Sequence, residues 1–219
     1  YGRYFLLKTD SLFNQVWVDS GEFHRDWPNR MRSILVTNNH VIAGVDSTNG
    51  TDYFTAIHAD SLNGSSSWNK VIQFDAATHP STIINMIEID DTIYVSHYGY
   101  YPSIAGAQLL MSVLNLNGDT LITKNYSSLF SNSVEMNFQK DQNNNLYLKF
   151  SSIQKCYVAK IDRQGNVLEI DSMSTTASLC PFQVLSSERR VVIDNAQRNV
   201  LVIFDNEGNR IDSLNLNCY

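Results

Sequence analysis

Five segments of this chain share one pattern: an apolar run, a polar turn and a second short strand. They are residues 4–18 (YFLLKTDSLFNQVWV), 53–72, 109–123 (LLMSVLNLNGDTLIT), 157–170 (YVAKIDRQGNVLEI) and 200–214 (VLVIFDNEGNRIDSL). Their turns start at Asp10, Asp60, Asn115, Asp162 and Asp205, at intervals of 50, 55, 47 and 43 residues. Asp or Asn followed closely by Gly or Asn suits a tight hairpin, because one residue of the turn must take positive φ. Four further hairpins alternate with these. They are residues 33–45 (SILVTNNHVIAGV), 83–97 (IINMIEIDDTIYVSH), 134–150 (VEMNFQKDQNNNLYLKF) and 182–194 (FQVLSSERRVVID).

Each repeat is therefore two hairpins, or four strands. Four strands at this period are the mark of a β-propeller blade. No segment carries an apolar stripe at helical spacing over three turns, so an all-β chain with almost no helix is expected. The third strands, such as residues 109–114 and 200–204, are apolar on both faces. Stacked blades cover their middle strands on both sides, whereas a sandwich leaves one face wet and alternates more cleanly. The expected domain spans residues 1–219. It holds a half-blade at 4–18 and four blades at about 33–74, 83–124, 134–173 and 182–215. The half-blade lacks its inner hairpin, so the chain either closes irregularly as five blades or is a fragment of a larger propeller.

Composition narrows the partners. Of 219 residues, 43% are apolar and 17% charged, which fits a globular chain and not a disordered one. The net charge is −6, and phosphate binding needs a basic stripe, so no nucleic-acid partner is expected. No apolar run approaches the roughly 20 residues of a membrane-spanning helix. The three cysteines, Cys156, Cys180 and Cys218, are too few for a disulfide scaffold and leave the compartment open.

At the residue level, the outer hairpin YFLLKTDSLFNQVW followed by the inner SILVTNNHVIAGV resembles the repeats of secreted Bacteroidetes β-propeller proteins. In that family an inner "gg-y-hhhG" hairpin alternates with an outer "hhhKhDsxGnhhW" hairpin. Many members carry a C-terminal type IX sorting domain, which is not in this sequence. The inner hairpins depart from the family pattern, with Asn38-Asn39 and Asp90-Asp91 in place of paired glycines. The resemblance implies a secreted or cell-surface location, with other domains of a longer chain as neighbours. Asp-Ser/Thr-apolar triplets, for example Asp10-Ser11-Leu12 and Asp119-Thr120-Leu121, resemble the O-glycosylation sequon of such exported proteins. Ordinary turn chemistry accounts for them equally.

Catalytic motifs are missing: there is no nucleophile elbow, H-E-x-x-H, phosphate-binding loop or C-x-x-C. Asp141-Gln-Asn143-Asn-Asn145 begins like a calcium loop, but Leu146 and Ser152 stand where Gly and Glu are needed, so it reads as a hairpin tip. The five histidines do not pair at metal-ligand spacing, and His58 reads as a strand residue that is packed or hydrogen-bonded. No catalytic residue, metal or cofactor is expected.

Loop lengths point to a binding face. The turns within hairpins are short. The connections at the opposite end are expected to be long, at about 19–32, 46–52, 75–82, 97–107, 125–133 and 173–181, and long loops on a rigid scaffold carry recognition. Two are rich in the residue types of binding hot spots, Tyr, Trp and Arg. The candidate ligand-binding residues are His24, Arg25, Trp27 and Arg30 in one, with Tyr98, Tyr100 and Tyr101 in the other. Aromatic side chains also plug long loops onto their own sheets, which is the alternative use of these residues. Three functions follow. The first is a non-catalytic exported binding or adhesion module for a glycan or protein. The second is a glycan-acting hydrolase or lyase at the propeller mouth, for which Glu22, Asp26 and Asp75 are the acidic nominees. The third is a structural spacer.

Overall fold

A computed structural model describes residues 2–23, 31–48, 53–64, 67–72, 81–101, 106–129, 135–151, 155–174, 182–186, 189–194, 200–205 and 210–215. Among these residues every regular element is a strand, as the alternating apolar pattern requires. A two-stranded hairpin comes first, β1 (Gly2–Thr9) and β2 (Gln15–Phe23). Four four-stranded antiparallel sheets follow, each in simple sequence order. The first holds β3 (Met31–Val36), β4 (His40–Thr48), β5 (Tyr53–Ser61) and β6 (Ser67–Ile72). The second holds β7 (Ser81–Ile89), β8 (Thr92–Tyr101), β9 (Gly106–Asn115) and β10 (Thr120–Asn125). The third holds β11 (Glu135–Lys140), β12 (Leu146–Ser151), β13 (Lys155–Ile161) and β14 (Val167–Ser174). The fourth holds β15 (Phe182–Ser186), β16 (Arg189–Asp194), β17 (Val200–Phe204) and β18 (Arg210–Asn215). The chain divides into two compact units, Tyr1–Thr123 and Lys124–Tyr219.

The hairpin turns show how the sequence sets register. In three of them an Asp opens a five-residue turn and its carboxylate ties the turn together. Asp10 Oδ1 accepts from the backbone N–H of Leu12 (2.8 Å) and Asn14 (2.9 Å), and Oδ2 accepts from Asn14 Nδ2 (3.0 Å). Asp141 repeats this with Asn143 and Asn145, and Asp162 with Gln164 and Asn166. At Asn115 and Asp119 the same bonds form with acid and amide exchanged. The fourth residue sits in the left-handed region, as Phe13 (φ 63°), Gly118 (φ 84°), Asn144 (φ 60°) and Gly165 (φ 78°). This is a type I turn with a bulge, the usual three-residue hairpin loop. Residues 141–145 are thus a hairpin tip. At Asp90-Asp91 both φ angles are positive (52° and 59°), so two carboxylate residues take the double left-handed geometry that paired glycines would otherwise supply.

These bonds to the ionised carboxylate hold three of the acids below their usual pKa. For Asp10 the Asn14 amide is the main cause. For Asp141 and Asp162 burial pushes the other way and the turn hydrogen bonds outweigh it. Asp141 is also buried, at 4% exposure, and accepts from Tyr147 Oη (3.3 Å). Asp141→Ala is therefore expected to cost about 2 kcal/mol in urea denaturation, because it strands the buried Tyr147 hydroxyl and the part-buried donors of the turn. Asp10→Ala, at an exposed turn, should cost less than about 1 kcal/mol. Equal losses would show that burial of the turn is irrelevant.

Several expectations are corrected, because strands run into the expected loops: β2 takes residues 19–23, β3 residues 31–32, β4 residues 46–48 and β14 residues 173–174. The stretch 97–107 is not a long loop. β8 runs through Tyr101 and β9 begins at Gly106, with Tyr98 opposite Leu109, Tyr100 opposite Ala107 and Tyr101 opposite Gly106. Tyrosine favours pleated strands, and consecutive β-formers extended the hairpin. The third turn of the outer series does not start at Asp60. Gly64 N–H donates to Ser61 O (2.8 Å), so Ser61–Gly64 makes the turn and Asp60 remains in β5.

In the first unit, sheet β3–β6 is covered on both faces. Ile42, Ile57 and Ala59 pack with Met86, Ile93, Val95 and Leu114 of sheet β7–β10, and Leu35, Trp68 and Leu116 seal the edge. The next residues in each strand point the other way. Ala43 and Val45 meet Leu6 of β1, with Trp17 and Val41 alongside. The β1–β2 hairpin thus lies on the second face. Its own outer face keeps Phe5, Leu7, Val16 and Val18 exposed. In the second unit, Met136, Phe138, Leu146, Leu148, Phe150, Val158, Ala159 and Ile161 are buried, and the Phe150 and Tyr157 rings stack at 4.9 Å across β12–β13. No helix among the described residues is long and apolar enough to cross a membrane.

Candidate functional site

His24, Arg25, Trp27 and Arg30 lie outside the described residues, as do Asp26 and Asp75. Tyr98, Tyr100 and Tyr101 are described as strand backbone only, and their side chains lie outside the described set, as does that of Glu22. Cys180 and Cys218 also fall outside it. The chemistry that the described residues do assemble is elsewhere, where the β1–β2 hairpin meets sheet β3–β6.

Antiparallel pairing sets it up. His58 of β5 stands opposite Ala43 of β4 and Asn69 of β6, so these three share the face that receives the hairpin. Asp60, two residues on, shares that face because strand side chains alternate. On the hairpin, Leu6 pairs with Asp19 and Lys8 with Trp17, which puts all four on the side toward the sheet. Lys8 Nζ (2.7 Å) and Trp17 Nε1 (2.9 Å) both donate to Leu62 O in the β5–β6 turn, clamping the hairpin in place. Trp17 also lies across Gly64, where an added Cβ would come 3.3 Å from its Cγ.

This brings Asp19 to His58. Nε2 of His58 lies 2.7 Å from Asp19 Oδ2 and 3.2 Å from Asp60 Oδ2. Nδ1 lies 2.5 Å from Asn69 Oδ1. His58 and Asp60 are buried, at 7% and 4% exposure, while the Asp19 side chain is 39% exposed and opens the cluster to solvent. Burial holds the Asp60 carboxyl above its usual pKa. The neighbouring His58 opposes this shift and the negative charge of Asp19 adds to it. One ligand atom from each of Asp19, His58 and Asp60 falls within 4.8 Å of the others.

The sequence carried a partial signal. In β5, His58 and Asp60 alternate with Ile57 and Ala59, which reads as a strand with one polar face. The missing partner, Asp19, comes from a different sheet 39 residues upstream, and only the docking of the half-unit brings it in.

No protein-family model matches the chain, and no curated protein matches it. Among solved structures the chain is similar to a protein of unknown function from Bacteroides caccae. The likeness covers 98% of this chain and 73% of that one, with a TM-score of 0.55 and 13% identity, and at that identity it speaks for the fold alone.

Proposed function

We propose that the chain is a non-catalytic binding module of an exported, surface-associated protein, built as a β-propeller and recognising a glycan or a protein through the end opposite its hairpin turns. The observation that carries this reading is the closed hydrogen bonding of the described hairpin turns. Within hairpins, the turns at residues 10–14, 115–119, 141–145 and 162–166 satisfy their own polar groups internally and have little left to offer a ligand. Recognition therefore falls to the opposite connections, which hold Trp27 and the arginines and follow the Tyr98–Tyr101 strand end. Face-to-face stacking of β1–β2, β3–β6 and β7–β10 supports the propeller, since blades pack in that way. The outer face of β1–β2 is apolar, with Phe5, Leu7, Val16 and Val18, the character of a face made to stack on another sheet.

The test is direct binding to immobilised oligosaccharides and extracellular proteins, with the full chain as probe. Trp27→Ala and Tyr100→Ala should each weaken retention about tenfold or more, as truncation of an aromatic anchor does. Retention unchanged in both variants would remove the proposed face.

A further inference from the structure

From this geometry we infer that Asp19, His58 and Asp60 form a binding site for a divalent first-row transition ion, of the zinc type, that fastens the β1–β2 hairpin to sheet β3–β6. The donor arrangement gives the reason. Asn69 Oδ1 can only accept a hydrogen bond, so Nδ1 of His58, 2.5 Å away, is the nitrogen that carries a proton. The other ring nitrogen, Nε2, then faces two carboxylate oxygens at 2.7 and 3.2 Å. Nε2 and one oxygen of each carboxylate thus converge within 4.8 Å, as three donors to a single ion do. His58 and Asp60 are buried, so an ion held between them is shielded from water on that side. A divalent ion with a neutral imidazole balances both carboxylates.

The remaining features fit the same ion. One imidazole and two carboxylates are borderline donors suited to zinc and its neighbours. Metal–ligand bonds of about 2.0–2.2 Å set neighbouring donors about 3.4 Å apart in a tetrahedron, so the Asp60 gap already fits and the half-exposed Asp19 moves back by about 0.7 Å. The Asn69 carbonyl on Nδ1 is the kind of outer partner that fixes the tautomer of a metal-ligating histidine. Three protein ligands with Asp19 half-exposed leave a coordination position open to water. On binding, the ion takes the Nε2 lone pair.

Chelator-treated full-length protein titrated with zinc chloride should bind one ion in this site. Cobalt(II) should give a visible ligand-field spectrum. Zinc should also slow amide exchange in β2, residues 15–23, because the ion fastens that strand. His58→Gln and Asp19→Asn should each weaken binding roughly tenfold or more. Asp19 is partly exposed and its Asn variant is isosteric, so it keeps the test valid if His58→Gln fails to fold. Absence of zinc binding by the folded wild-type protein, or affinity in Asp19→Asn equal to wild type, would overturn the assignment.

Discussion

Between pH 7 and pH 4 the wild-type protein is expected to lose about 3 kcal/mol of stability that a His97→Gln variant does not lose. His97 lies in β8, fully buried, with Nε2 3.0 Å from Ser112 Oγ of β9. Burial pushes its pKa down to about 3 from an ordinary value of 6.5. The neutral ring is favoured in the folded state, and the unfolded chain takes up a proton first as the pH falls. The contribution is therefore complete above pH 6.5 and is lost progressively down to about pH 3. The slope in that window is about 1.4 kcal/mol per pH unit. The turn acids Asp10, Asp141 and Asp162 also have depressed pKa values, but their contributions fade only below the unfolded carboxylate range near pH 4. Urea denaturation of both proteins across this range checks the point. Parallel stability curves would show that the ring is not held neutral.

Gly118→Ala should destabilise the first unit by about 2–4 kcal/mol. Gly118 sits at φ 84°, a conformation that a side chain resists. An added Cβ would also come 2.7 Å from Cε3 and 2.8 Å from Cζ3 of Trp68, so the indole must move. Trp68 in turn packs against the core shared by sheets β3–β6 and β7–β10. The comparison is Gly64→Ala, at φ 72°, where the nearest Trp17 atom is 3.3 Å away. That variant should lose about half as much, because the strain is similar and the clash is smaller. Equal losses would mean that backbone strain alone decides the cost and that the Trp68 contact contributes nothing.

Much of the architecture is legible in the sequence because it is locally encoded. Asp-x-x-Gly-Asn at 162–166 and Asn-x-x-Gly-Asp at 115–119 specify turn, bulge and register within five residues. The apolar run Leu109–Leu114 announces a strand covered on both faces, and its residues are buried. What failed was local context that depended on a neighbour. Asp60 aligns with Asp10 as a turn opener, but Ser61 with Gly64 takes that role one residue later and leaves Asp60 in the sheet. The tyrosines after His97 read as loop aromatics, although their strand propensity extends β8. The Asp19–His58–Asp60 cluster was hidden because Asp19 lies on a different sheet from His58 and Asp60. Each residue alone is ordinary, and the cluster exists only once Lys8 and Trp17 have clamped the hairpin to Leu62.

Binding without turnover is the central functional claim, and its most direct test is the fate of a bound ligand. An oligosaccharide retained by the full chain should be incubated with an equimolar amount of protein, then recovered and weighed by mass spectrometry. The account predicts recovery of the intact mass, with binding reduced in Trp27→Ala. Accumulation of shorter fragments by the wild-type protein, lost in that variant, would contradict it and establish an enzyme instead.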